Sequence, residues 1–275
     1  MNYKEYYLKA RDNYEGNQPS LESFYTNPVR QLPVTELFSE NYHRAIRVIS
    51  TGVKMFFDAQ EKDPKNSESG LITYDNIFDY KPEIDDIVDE LVPFLEKTHF
   101  GCHLFVDKIY IFRTVFMKDR KSSYIWHYDN NPDEVVKNII YLSDVAEDTS
   151  PFEYLSNSEG KGIIFPSTRT GPEQWRPAPN GSRIPEQVEN LVSKKDCKPT
   201  RVLGPVGTTT SFCSNAAHRA NPRTEGGSHR DVLNIRVRPT IESVKEYFCE
   251  DWTTSYETTG VVSMDPSNRA PYGHK

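Results

Sequence analysis

Beyond Gly101 the chain consists of short runs of β-branched and aromatic residues, with no long helical pattern between them. The runs lie at 103–116, 137–143, 162–165, 202–203, 208–212 and 232–237. Segments of turn-forming residues separate them, such as NNP, SNSEGKG, LGPVG and NPRTEGG. Short strands joined by turns predict two sheets packed face to face, as in a sandwich or jelly-roll barrel.

The N-terminal part of the chain has a helical pattern instead. Apolar residues recur at helical spacing over 35–62 and again over 82–101. We therefore predict a mostly β protein with N-terminal helices. The predicted parts of a single domain at 1–275 are a helical part at 1–103, a jelly-roll core at 104–240 and a polar tail at 241–275.

An insertion at residues 166–201 interrupts the predicted core. It is rich in Pro, Gly, Ser and Arg and contains one short helical pattern. A loop of this length in a compact domain is usually functional or mobile, so we expect a lid that closes over a substrate and excludes water. Arg169 and Trp175 on this lid are candidate substrate contacts. Their character favours an anionic or polar small molecule, although a solvated loop surface explains them equally well.

Charge and cysteine content limit the partners of the chain. A net charge of −7 argues against nucleic acid as the main partner. The polar N-terminus and the lack of a long apolar run predict neither a secretory signal nor a membrane partner. The four cysteines form no CxxC pair, which is typical of reduced thiols in a cytoplasmic protein.

A His-x-Asp pair, His127 and Asp129, precedes an apolar strand-like run. In a strand, residues two apart share a face, so an imidazole and a carboxylate can converge there on one iron(II) ion. The third ligand of such a facial site would be His218, which follows another strand-like run. His229 is the rival candidate. The plain alternative is that His127 and Asp129 form a hydrogen-bonded pair in a loop.

Arg230 begins the strand-like run that follows His218. A guanidinium group can hold a carboxylate through two parallel hydrogen bonds, which a lysine cannot do. If His229 were the ligand, Arg236 would have to take this role instead. Three protein ligands leave three iron positions open, enough for a bidentate 2-oxo acid and dioxygen. Because the carboxylate of Asp129 is present, hydroxylation or another oxidation is expected rather than halogenation.

These segments resemble the phytanoyl-CoA dioxygenase-like family of iron(II)- and 2-oxoglutarate-dependent oxygenases over roughly residues 105–240. The resemblance is carried by WHYDNNP, IIYLSDVAEDTSPFEYL, GIIFPSTRTGP, GPVGTTTSF and AHRANPRTEGGSHRDVLNIRVRP. It implies a double-stranded β-helix, a cupin-like jelly roll. It also implies His127, Asp129 and His218 as iron ligands and Arg230 as the residue that binds the far carboxylate of 2-oxoglutarate.

The resemblance also implies cosubstrate contacts on the strand before the His-x-Asp pair, where Tyr110 and Thr114 share a face. Two departures from the family pattern are PSTR at 166–169 and Ala220, where many relatives have serine. Asn138 and Arg236, polar residues within strands, are further candidates for substrate contact. Edge-strand solvation or surface pairing explains them at least equally well.

The expected function is therefore hydroxylation of an unactivated C–H bond of a small-molecule substrate, with release of succinate and CO2. Two alternatives stay open. The same cofactor chemistry could give desaturation, epoxidation or cyclisation, or the chain could be a non-catalytic or 2-oxoglutarate-independent cupin-like binding protein.

Overall fold

The computed structural model describes residues 3–63, 70–117, 122–167, 183–221, 225–248, 253–256 and 261–263. The helices are α1 (Tyr3–Asp12), α2 (Leu21–Thr26), α3 (Val34–Leu37), α4 (Glu40–Gln60), α5 (Lys81–Leu95) and α6 (Pro185–Ser193). No helix in these ranges is long and apolar enough to cross a membrane.

The predicted helix over 35–62 is divided in two. Phe38 has an extended backbone (φ −115°, ψ 154°), which ends α3. Ser39 is the N-cap of α4, and its side chain accepts a hydrogen bond from the Asn41 amide. The segment predicted to end at Gly101 does so: α5 continues into a π-helical turn, and Gly101 follows with a left-handed φ of 64°.

The strands are β1 (Val29–Leu32), β2 (Leu71–Thr73), β3 (His103–Thr114), β4 (Val136–Tyr141), β5 (Phe152–Asn157), β6 (Cys197–Val202), β7 (Thr209–Cys213), β8 (His218–Ala220), β9 (Arg230–Thr240), β10 (Thr253–Tyr256) and β11 (Val261–Ser263). Within the described ranges they form an eight-stranded sheet in the order β1-β7-β4-β9-β3-β11-β10, with β2 also paired to β3, and a small sheet in the order β6-β5-β8. The strand pairs are antiparallel.

The two sheets pack face to face. Phe152 and Val202 of the small sheet share one buried cluster with Ile139, Phe212 and Val232 of the large sheet. The helices α4 and α5 cover the other face of the large sheet, where their apolar side chains form the main core with β3, β4 and β9. This arrangement of two packed sheets with a helical layer outside the large one confirms the predicted mostly β jelly-roll fold with N-terminal helices.

Side chains of β4 alternate between the two faces of the large sheet. Val136 and Ile140 belong to the core under the helices, whereas Ile139 and Tyr141 belong to the cluster between the sheets. Asn138 therefore points toward the helical layer, where its amide donates to the Ile235 carbonyl at 3.0 Å. Asn138, a candidate for substrate contact, thus lies on the face of β4 that turns away from the space between the sheets.

The predicted parts of the domain differ from the structure at two points. The N-terminal part is not purely helical, because β1 and β2 join the edges of the large sheet. The predicted lid at 166–201 includes β6, which pairs with β5 along its full length. Arg169 and Trp175 lie outside the described residues.

Candidate metal centre

The backbone places His127 and His218 side by side. Each amide donates to the carbonyl of the other, at 3.0 Å and 2.8 Å, so that the His127 segment extends the small sheet next to β8. The imidazole rings are 4.2 Å apart between centroids. Two residues further on, the Asp129 amide donates to the Ser214 carbonyl at 2.9 Å.

The side chains of His127, Asp129 and His218 converge at this point. One ligand-type atom of each lies within 4.8 Å of the others. Nε2 of His127 is 3.9 Å from Oδ1 of Asp129. The structure therefore brings together the three residues that the sequence predicted, in the two-histidine, one-carboxylate set that suits iron(II).

Backbone carbonyls fix the orientation of both rings. Nδ1 of His127 lies 2.8 Å from the Ile125 carbonyl, and Nδ1 of His218 lies 2.7 Å from the Ala216 carbonyl. Because a carbonyl can only accept, each Nδ1 carries the proton and each Nε2 keeps a lone pair. Such a partner sets the tautomer of metal-binding histidines.

Electrostatics keep the three side chains in their ligand forms. Burial lowers the pKa of His127 and His218 below the ordinary value, so both rings are neutral near pH 7. Burial alone would raise the pKa of Asp129, but the neighbouring positive charge of Lys137 holds it below its usual range. The carboxylate is therefore ionised.

His229 lies apart from this site. It sits beside β9, and its Nε2 is 3.5 Å from Oδ2 of Asp231, a residue on the face of β9 that turns toward the helices. There Asp231 forms two hydrogen bonds with Arg113, at 2.6 Å and 2.8 Å. The alternation of β9 thus separates His229 and Asp231 from Arg230.

Arg230 is only 3 % exposed and lies between the sheets. Among the described residues, its Nε and Nη1 atoms have no hydrogen-bond partner. The side chains of Tyr141 and Tyr124 lie near enough to affect its pKa, which burial lowers. A buried guanidinium with unused donors is suited to binding a carboxylate.

The two predicted cosubstrate contacts, Tyr110 and Thr114, both lie on the face of β3 that turns toward the space between the two sheets, which we call the cavity. Thr114 is opposite Arg230 in the strand register, and its hydroxyl donates to the Arg230 carbonyl at 3.3 Å. Tyr110 is opposite Asn234 and is partly buried. Thr114 therefore supports the backbone of Arg230, whereas Tyr110 lines the space between the sheets.

Sequence reasoning missed Lys137. Its Nζ lies 2.7 Å from Oδ2 of Asp129, and its side chain is 15 % exposed. The signal was present, because Lys137 is the one charged residue in the apolar run VVKNIIYL. Arg236, a predicted substrate contact, is the neighbour of Lys137 across the β4–β9 pair, and Arg183 is joined to His127 by a backbone bridge.

No family model matches the chain. It is similar to L-proline trans-4-hydroxylase of Streptomyces griseoviridis, with 26% identity over 150 residues, which cover 51% of this chain and 54% of the relative. The chain thus spans about half the length of this curated relative.

Three solved structures show a loose likeness to this chain. AviO1 from Streptomyces viridochromogenes Tue57 has 14% identity and a TM-score of 0.49, covering 79% of this chain and 92% of that one. HygX from Streptomyces hygroscopicus, with nickel and 2-oxoglutarate bound, has 15% identity and a TM-score of 0.44, covering 90% and 98%. EctD from S. alaskensis, with bound Fe, has 13% identity and a TM-score of 0.47, covering 84% and 83%. All three scores are below 0.5, so these likenesses support no functional assignment.

Proposed function

We propose that the chain is a non-haem iron(II)- and 2-oxoglutarate-dependent dioxygenase that hydroxylates an unactivated C–H bond of a small molecule. The observation that carries the proposal is the buried Arg230 guanidinium with unused donors, in the same intersheet space as the triad His127, Asp129 and His218. A metal-ligand set and a carboxylate-binding group together are what a 2-oxo acid cosubstrate requires. The similarity to a proline hydroxylase over 150 residues supports the same reaction class.

In this proposal, His127 and His218 bind iron(II) through Nε2, and Asp129 binds it through a carboxylate oxygen. The bound iron and 2-oxoglutarate supply the oxidation, which consumes dioxygen and releases succinate and CO2. The Ile125 and Ala216 carbonyls hold the rings in the ligand tautomer. Burial of the site keeps bulk water from the reacting groups.

Arg230 would bind the far carboxylate of 2-oxoglutarate through its Nε and Nη1 donors. Thr114 keeps the Arg230 backbone in place, and the Tyr141 ring lies beside the guanidinium. Tyr110, on the same face of β3, is placed to contact the bound cosubstrate.

Three broader assignments belong to the same proposal. We infer that the chain belongs to the phytanoyl-CoA dioxygenase-like family and that it is a cytoplasmic protein of one domain. We also infer that a lid within 166–201 carries Arg169 and Trp175. The net negative charge supports a small-molecule substrate rather than nucleic acid. Product analysis would separate hydroxylation from desaturation, epoxidation or cyclisation.

The test is an anaerobic titration of the iron(II)-loaded protein with 2-oxoglutarate, followed by the weak visible metal-to-ligand charge-transfer band. We expect the band in the wild-type protein and its loss in Asp129→Ala. Arg230→Ala should still bind iron but require much more 2-oxoglutarate. Iron binding without any band would refute the cosubstrate assignment.

His218→Ala and His229→Ala form a matched pair of histidine deletions. The first should abolish stoichiometric iron binding, whereas the second should leave it intact, because His229 faces Asp231 rather than the triad. The reverse pattern would overturn the ligand assignment.

A further inference from the structure

Three cationic side chains form a row across the floor of the cavity. In the strand register, Lys137 on β4 is opposite Arg236 on β9, and Arg236 is opposite Lys108 on β3. Residues directly opposite each other in adjacent strands share a face. The row therefore lies at one level of the large sheet, on the side that faces the triad.

Such a row is unfavourable by itself, since like charges directly opposite each other destabilise a sheet. Burial together with the charges of Arg236 and Lys137 lowers the pKa of Lys108 to about 7. The structure compensates part of this charge. A β-bulge after Val106 places Asp107 beside Arg236, and the two side chains form hydrogen bonds of 2.7 Å and 2.9 Å.

Asp107 also forms an ion pair with a second guanidinium group, since Nε of Arg238 lies 3.6 Å from its Oδ2. At the other end of the row, Lys137 contacts Asp129, the carboxylate that belongs to the metal-ligand set. When that carboxylate binds a divalent cation, its negative charge is shared between the cation and the ammonium group. The floor of the cavity is then left with positive charge next to the metal site.

The ammonium group of Lys137 has three N–H donors, and its Nζ lies 2.7 Å from Oδ2 of Asp129. Lys137 lies on the face of β4 that turns toward the cavity, and 15 % of its side chain is exposed. An anion between Lys137 and Arg236 would balance the charge and complete the hydrogen bonds of the lysine. Arg230 is the first residue of β9, six residues before Arg236 or roughly 20 Å away along the strand, so the two cationic positions are separate.

We propose that Lys137, flanked by Arg236 and Lys108, binds a carboxylate of the primary substrate. This inference rests on the proposed oxygenase function, with Arg230 reserved for the cosubstrate. Since Lys137 touches a metal ligand, the substrate carboxylate would lie within a few bonds of the carbon that is oxidised. The substrate class is therefore a small carboxylic acid, such as a free amino acid, rather than an ester, an amide or a neutral sugar.

The test uses the iron(II)- and 2-oxoglutarate-loaded protein under anaerobic conditions. Each of the twenty common amino acids is added in turn, together with its carboxamide, and the change in the charge-transfer band is measured. We expect at least one free acid to perturb the band, with its carboxamide binding at least roughly 30-fold more weakly, the loss expected when a buried charge pair lacks one partner. A wild-type band that no acid perturbs, or that acid and amide perturb equally, would overturn the inference and leave the oxygenase assignment standing.

Lys137→Met should keep the affinity for 2-oxoglutarate within about threefold while the acid-to-amide preference falls toward one. Lys137→Arg should restore part of the preference. The matched control is Lys198→Gln, an exposed lysine on β6, which should change neither quantity. If Lys137→Met instead weakens 2-oxoglutarate as strongly as Arg230→Ala does, the row serves the cosubstrate and the inference is wrong. An absent band in the wild-type protein would refute the oxygenase proposal itself.

Discussion

Replacing Arg230 by methionine should make the metal-free, cosubstrate-free protein more stable while abolishing its response to 2-oxoglutarate. In the described part of the chain, Nε and Nη1 of this 3 % exposed side chain have no hydrogen-bond partner. A buried donor without a partner costs about 1–3 kcal/mol. Methionine fills a similar volume without donors and loses only the interaction with Tyr141, about 1 kcal/mol. The net gain should therefore be up to about 2 kcal/mol.

Urea unfolding of the two proteins, each with and without metal and 2-oxoglutarate, measures both effects. A ligand at 100 times its Kd stabilises the native state by about 2.7 kcal/mol. Wild-type protein should show this increment, and Arg230→Met should show little of it. In thermal unfolding, each kcal/mol corresponds to roughly 2–4 °C for a chain of this size.

Arg219→Met is the matched control, because this arginine already has partners. It donates to Glu153 at 2.5 Å and lies over the Trp126 ring. Its loss should lower the free energy of unfolding by about 1–3 kcal/mol, since the nearly buried Glu153 loses a charged partner. The reasoning would be refuted if Arg230→Met destabilised the protein as Arg219→Met does and 2-oxoglutarate still stabilised it.

Two further predictions concern a buried ion pair and a histidine, both away from the cavity. Asp231→Ala should lower the free energy of unfolding by about 3–5 kcal/mol in urea titrations, because it removes the buried carboxylate that accepts two hydrogen bonds from the fully buried Arg113. The double variant Arg113→Met/Asp231→Leu should recover most of that loss, and no recovery would show that packing rather than charge is responsible. Burial and the Arg30 charge lower the pKa of His99 to about 3. Below about pH 6.5 the unfolded chain therefore binds a proton that the native state does not bind. As the pH falls from about 6.5 to about 3, this histidine should lower the free energy of unfolding by about 1.4 kcal/mol per pH unit. His99→Gln should reduce the pH dependence of the free energy of unfolding by that amount, and an unchanged pH dependence would contradict the lowered pKa of His99.

The convergence of His127, Asp129 and His218 could be predicted because it depends on strand parity and strand order, which short apolar runs encode. Strand parity also explains why Arg113 and Arg230 lie on opposite faces of the large sheet. Parity alone does not say which face of β4 turns toward the helices, so it could not decide whether Asn138 faces the cavity. Lys137, one residue earlier, is the cavity-facing position.

Other features lay beyond local patterns. The strand β6 reads as loop because it contains Pro199 and charged residues, yet it lies at the edge of the small sheet, where a missing N–H is tolerated. The break between α3 and α4 has no Gly or Pro to mark it. The bulge at Asp107 arises from pairing with a strand more than a hundred residues away, and no local sequence window contains that partner.

The Arg113 side chain links the helical layer to the strand that carries Arg230. It donates to Asp58 near the end of α4 at 2.7 Å and to Glu61 just after that helix at 3.2 Å. It also donates to Asp231, the residue next to Arg230. A change on the outer surface of α4 can thus shift the strand that carries Arg230, the proposed cosubstrate-binding residue, without touching the cavity. Variation at Asp58 or Glu61 is therefore a route by which selection could adjust cosubstrate demand while the triad and the substrate pocket remain the same.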